Sequence, residues 1–285
     1  MDRAAVERDA DGAADAILAS VRLRHRPRRI ACLTEETVEI LYRLGAGDLV
    51  VGVSKYVERP PEARAKPRLC AFVKADYAAI EAVRPDLVLC FSDLQADIAA
   101  ECARRGLEVV VFNQRSIAEI LGVVRSVGAL VGLDARAERL EAELVAHLES
   151  VAAAARARPS RPRVHVEEWD DPIITAIRWV AELVELAGGT YVHAGRSLGR
   201  GAKERVVSID DVVASRPDVI LASWCGKPVS VAAIAARPGF ADLPAVRDGR
   251  VHEIAASLLL QPGPAALTDG LDEVHRLIFA AADAR

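Results

Sequence analysis

One fifteen-residue pattern occurs twice in the chain and limits what it can fold into. Residues 76–90, DYAAIEAVRPDLVLC, and residues 208–222, SIDDVVASRPDVILA, share one plan: a short helix, then Arg-Pro-Asp, then an apolar run. Pro85 and Pro217 cannot continue a helix, and each disfavours helical backbone at the residue before it, so an extended Arg84 and Arg216 are expected. Leu87–Cys90 and Val219–Ala222 are apolar without alternation, as in parallel strands covered on both faces. Two fainter echoes flank the pattern. LYRLGAGDLVVGV at 41–53 pairs with LVELAGGTYVHA at 183–194, and GLEVVVFN at 106–113 with DGRVHEIA at 248–255. A repeat of this kind points to one α/β unit used twice.

Hydrophobic spacing lays out both units. Strands are predicted near 29–33, 50–53, 87–90 and 109–112, then near 164–167, 190–192, 219–222 and 251–254. Helices are predicted near 36–43, 77–83, 93–104 and 117–131, then near 177–186, 209–214, 229–236 and 264–281. Strands alternating with helices predict parallel sheets covered on both sides. From Asp134 to Arg156 there is no Pro or Gly, and Ala137, Leu140, Leu144, Leu148, Val151 and Ala155 draw one apolar stripe. At 1.5 Å per residue such a helix spans about 35 Å, a rod joining two lobes. The expected fold class is α/β: two Rossmann-like β/α lobes, 29–133 and 159–285, joined by one backbone helix at 134–158. Residues 1–28 form an N-terminal extension in which Val6 to Val21 fit an amphipathic helix.

Composition narrows the partners. Thirty-seven basic residues against 41 acidic ones give a net charge of −4, with no basic stripe, which argues against nucleic acid. Charges interrupt Met1 to Arg29, so no export signal is read there and a cytoplasmic location is expected. No apolar run reaches the roughly 18 residues of a membrane span. Five scattered cysteines without a CxxC pair read as reduced thiols. Motifs for dinucleotide binding, a nucleophilic serine elbow and zinc proteolysis are missing, and GRSLGRGAK at 195–203 fails the phosphate-loop spacing. That glycine-rich stretch reads instead as a mobile loop over a cleft mouth, and no catalytic residue is assigned.

In open parallel sheets, binding groups sit on loops beyond the carboxyl ends of the strands. Those loops hold Thr34, Glu35, Tyr56, Phe91, Ser92, Asn113 and Gln114 in the first lobe. In the second they hold Glu168, Trp169, Asp170, Trp224, Cys225, Lys227 and Ser257, while Phe72 lies just before the first repeat helix. Only 12 residues of the chain are Phe, Trp or Tyr, yet five fall here, walls suited to a large, partly apolar, planar ligand. The candidate site is therefore Tyr56, Phe72, Phe91, Glu168, Trp169, Trp224, Cys225, Lys227 and Ser257. Trp179, inside a helix among Ile177, Val180 and Leu183, reads as core. Trp169 and Trp224 fit either core or pocket wall, and Cys225 either a plain thiol or a soft metal ligand. His165 and His252 read as structural.

GVSKYVERPPEA at 52–63, IEAVRPDLVL at 80–89 and EEWDDPIITAIRWVAELVELAGG at 167–189 carry a family resemblance. The chain resembles the substrate-binding proteins of ABC importers for siderophores, heme and cobalamin, most of all the cobalamin-binding members. The resemblance implies a fold with a helical backbone and a cobalamin-like corrinoid ligand, a metal macrocycle, in the cleft. It places Tyr56 where the family has a pocket tyrosine, and Phe72 and Phe91 where it has tryptophans. It calls for no protein ligand to cobalt, so no metal-ligating residue is assigned among His165, His193 and His252. Family members dock on a permease through an acidic residue on each lobe. Asp210 holds that place in the second lobe but Ala78 in the first, which argues against docking. Alternatives left open are a siderophore or heme binder, a metallochaperone or enzyme using Cys225, His252 or the acidic 167–171 run, and an exported importer component.

Overall fold

The computed structural model describes residues 26–280. The expected helix at Val6–Val21 lies outside them. The first lobe runs β1 (Ile30–Cys32), α1 (Glu35–Arg43), β2 (Val50–Ser54), β3 (Arg68–Ala71), β4 (Lys74–Ala75), α2 (Tyr77–Ala82), β5 (Leu87–Phe91), α3 (Ala96–Arg104), β6 (Val109–Phe112) and α4 (Ile117–Val131). The backbone helix α5 (Asp134–Arg156) follows. The second lobe begins β7 (Arg163–Asp170), β8 (Ile173–Thr175), α6 (Arg178–Leu186), β9 (Thr190–Tyr191), α7 (Ala194–Ser197) and α8 (Ile209–Ser215). It continues β10 (Val219–Ala222), α9 (Val231–Ala235), α10 (Pro244–Arg247), β11 (Val251–Glu253), α11 (Ala256–Leu259) and, after a π-helical turn at Ala266–Gly270, α12 (Leu271–Ile278).

The strand order is β4-β3-β2-β1-β5-β6 in the first sheet and β11-β10-β7-β8 in the second, with β9 beside β7. The repeat is visible in the pairing: Ile30 sits opposite Leu87 and Val164 opposite Val219, both parallel. Its aspartates explain why. Asp86 accepts hydrogen bonds from the backbone N–H groups of Arg28 (2.7 Å) and Arg29 (2.9 Å), and Asp218 accepts one from Arg163 (2.7 Å). The Arg29 and Arg163 side chains then donate to carbonyls at the end of the preceding repeat helix, Val83 and Arg84 in one copy and Ser215 in the other. Each Arg-Pro-Asp thus fastens a helix end to the start of the central strand.

Two expectations need correction. Arg84 and Arg216 are left-handed, each with φ +43°, rather than extended. A left-handed residue turns the chain off the helix within one step while still avoiding the conformation that proline forbids. The sheets are not wholly parallel, because the Phe72–Val73 turn folds β4 back on β3 and the Asp171–Pro172 turn folds β8 back on β7. The apolar stripe of α5 is buried against both lobes that it joins. One apolar cluster runs from Ile30 and Leu41 through Leu140, Leu144 and Leu148 to Leu183, Leu271 and Ile278, so α5 packs along both lobes at once. Gly132, with φ +69°, ends α4 and turns the chain into α5.

The lobes also touch directly. Gln114 Nε2 donates to the Pro262 carbonyl (3.2 Å), and the Ala265 N–H donates to Glu39 (3.1 Å). Gly263 packs so close to α1 that a Cβ there would lie 2.7 Å from that of Glu36. All five cysteines are unpaired, and no described helix is long and apolar enough to cross a membrane.

Candidate functional site

Where the carboxyl ends of β1, β2, β3 and β5 face the segment from Ala256 to Pro262, a cavity of ≈ 450 Å³ opens between the lobes. Thr34, Glu35, Glu36, Lys55, Tyr56, Glu58, Phe72 and Phe91 line it from the first lobe, and Cys225, Ser257, Leu260 and Gln261 from the second. Glu58 and Ser257 also border a separate groove of ≈ 1070 Å³, which Arg59, Tyr42 and Asp269 line as well, so the cavity and the groove share a wall.

The rings are held on short, tied loops. Tyr56, on the turn after β2, is 42% exposed. The Lys55 ammonium lies 4.8 Å above that ring. Phe72 is the left-handed residue of the β3–β4 turn, with φ +53°. Gln95, fully buried, gathers three of these segments: its amide donates to the Phe72 carbonyl (2.8 Å) and the Leu33 carbonyl (3.2 Å), and its oxygen accepts from the Phe91 N–H (3.0 Å). On the far wall, the Trp179 indole donates to the Leu259 carbonyl (3.0 Å) and steadies the helix that carries Ser257.

The floor is acidic. Glu35 and Glu36 open α1 and are 8% and 2% exposed. Thr34 donates its hydroxyl to Glu36 (2.7 Å), whereas Oε1 of Glu35 has no hydrogen-bond partner. Burial, and then the charge of Glu35, push the Glu36 carboxyl up to about 8. Burial also raises Glu35, with the charge of Glu58 adding to the effect and the Ser54 side chain opposing it. The Cys225 thiol is raised by burial and by Glu35, which keeps it protonated and unlike a reactive thiolate.

Five residues read from the sequence meet at this cavity: Tyr56, Phe72, Phe91, Cys225 and Ser257. Four do not line it, because they are engaged elsewhere in the second lobe. Trp224, 6% exposed, joins the core of that lobe and donates its indole N–H to Glu167 (3.0 Å), which Arg237 clamps with two further hydrogen bonds (2.6 and 2.9 Å). Glu168 accepts from Arg205 (2.5 Å) and from the Ile177 N–H (2.6 Å). Lys227 pairs with Asp170, and its ammonium sits 4.2 Å over the Trp169 ring and 4.9 Å from that of Trp224. Trp169 donates to the Asp171 carbonyl. The glycine-rich stretch at 195–201 does not border the cavity; Ser197 and Leu198 line a groove beside α5 and α6 instead. Among the described residues no group of three His, Cys, Asp or Glu is placed to hold a metal ion.

Sequence reasoning missed Lys55, Glu36, Glu58, Gln95 and Gln261. Thr34 and Glu35 fall on the cleft-edge loop read from the sequence, whereas Glu36 opens the helix predicted at 36–43. The usable signal was that both glutamates follow directly on a buried central strand, where solvent cannot reach them.

Comparison with known proteins agrees with this architecture. The sequence profile of the periplasmic binding protein family matches residues 30–258. An uncharacterised ABC transporter substrate-binding lipoprotein of Bacillus subtilis is 24% identical over 271 residues, 93% of this chain and 84% of its own length. A vitamin B12-binding protein of Vibrio vulnificus is 25% identical over 265 residues, 88% of this chain and 90% of its own. The apo periplasmic heme-binding protein of Roseiflexus sp. RS-1 superposes with a TM-score of 0.75 at 26% identity, covering 88% of this chain and 99% of that one.

Proposed function

Because the chain belongs to the periplasmic binding protein family, we propose that it is a non-catalytic binding protein whose cleft holds a corrinoid. The observation that carries this reading is the ring-walled cavity between the lobes. Tyr56 and Phe72 on loops and Phe91 at the end of β5 line it, and a second groove of ≈ 1070 Å³ adjoins it at Glu58 and Ser257. Stacking on such faces contributes about 0.5–1.5 kcal/mol per pair beyond area burial. The vitamin B12-binding relatives support a corrinoid as the ligand. The non-catalytic reading rests on the acidic 167–171 run, whose Glu167, Glu168 and Asp170 are spent on Arg237, Arg205 and Lys227.

The test is a titration of the purified chain with cyanocobalamin, dicyanocobinamide and hemin, each followed by visible absorption and calorimetry. A corrinoid is expected to bind with a defined stoichiometry. Tyr56→Ala and Phe72→Ala should each weaken it by about 5–150-fold, the loss of one buried ring contact of about 1–3 kcal/mol. Binding of hemin with no corrinoid binding would overturn the reading.

A further inference from the structure

The acidic floor of the cleft carries information about the rim of the ligand. Glu35 lines the cavity, is 8% exposed, and leaves Oε1 without a hydrogen-bond partner. A buried carboxylate oxygen in that condition is costly unless something supplies a donor. Nothing on the cavity wall supplies one to it. Thr34 is turned to Glu36, the Lys55 ammonium stands over Tyr56, and Arg59 is engaged with Asp269 and Glu39. Among the described residues, Lys55 is the one cation lining the cavity, against Glu35, Glu36 and Glu58.

Resting on the corrinoid reading, we propose that Glu35, backed by Glu36, selects macrocycles rimmed by carboxamides and rejects those rimmed by carboxylates. Each carboxamide brings two N–H donors to an acceptor that lacks them, and carries no charge. A carboxylate brings only acceptors and a like charge into a water-poor cleft, where such a juxtaposition costs several kcal/mol. The charge of Glu58 at the mouth acts in the same sense before the ligand is seated.

Dicyanocobinamide and dicyanocobyrinic acid share one corrin ring and differ in carrying amides or carboxylates around it. Calorimetry with both, on the wild type and on Glu35→Gln, tests the proposal. The wild type is expected to favour the amide form by about 30-fold or more, and Glu35→Gln to bring that preference within about fivefold, on the scale of one like-charge contact removed. Glu58→Gln, at the mouth of the cleft, should reduce the preference by a smaller factor and guards against a folding defect in the first variant. Equal affinity for the two corrinoids in the wild type, or an undiminished preference in Glu35→Gln, overturns this proposal and leaves the corrinoid reading standing. If neither corrinoid binds at millimolar concentration, the corrinoid reading and this proposal fall together.

Discussion

Glu36 shows how burial alone sets the chemistry of a residue. Its neighbours are Glu35 and the Thr34 hydroxyl, and it is 2% exposed. A carboxyl moved from 4.5 to about 8 holds its proton in the folded chain over a range where the unfolded chain has lost it. Its contribution to stability is therefore full below pH 4.5 and is lost as the pH rises through about 8. Glu36→Gln keeps the acceptor for Thr34 and removes the titration. Urea denaturation of the two proteins should give similar stabilities at pH 4.5. At pH 8.5 the variant should be ahead by up to about 4 kcal/mol, since each tenfold difference in proton affinity between folded and unfolded chains corresponds to about 1.4 kcal/mol. Parallel pH dependence in both proteins would show that Glu36 ionises freely.

The element that organises each lobe is the helix–Arg-Pro-Asp–strand unit. Asp86 and Asp218 bond the backbone at the start of the neighbouring strand, and Arg29 and Arg163 bond the end of the repeat helix. Because the two clamps are built alike and share no partner, their losses should be similar and additive. Asp86→Ala and Asp218→Ala are each expected to cost about 1–3 kcal/mol, the range for hydrogen bonds to a charged group. The double variant should lose the sum, read from urea midpoints at constant slope. A loss confined to one copy would mean that the repeat survives as shape without shared energetics.

At the scale of the whole molecule, the continuous cluster along α5 makes the lobes one packing unit. Four buried cysteines, Cys32, Cys70, Cys90 and Cys102, lie in the first lobe, and all three tryptophans, Trp169, Trp179 and Trp224, lie in the second. Once the exposed Cys225 of the second lobe is replaced by Ser, thiol labelling and tryptophan fluorescence report separate halves. Their denaturation midpoints should coincide, as in a single cooperative transition. Leu144→Ala, at a fully buried position of α5, should cost about 2–5 kcal/mol and shift both midpoints together. Midpoints that separate would mean that the two lobes unfold independently.

By itself the sequence determined the elements and the cleft. The duplicated Arg-Pro-Asp, the buried apolar strands and the stripe on α5 are local patterns, and each follows from a backbone rule acting within a few residues. They also fix which loops end at a strand's carboxyl edge, which is why Tyr56, Phe72, Phe91, Cys225 and Ser257 were legible as neighbours. The tertiary structure alone decided which loop side chains remain free to meet a ligand. Trp224, Glu168 and Lys227 sit on equally promising loops, but Glu167, Arg205 and Asp170 take up their polar groups. Those partners lie up to 57 residues away in the chain, a separation at which no spacing rule reaches. Glu35 is the converse case: the sequence puts it on a cleft-edge loop with no sign of its role, and packing buries it in the cleft with one carboxylate oxygen unpartnered.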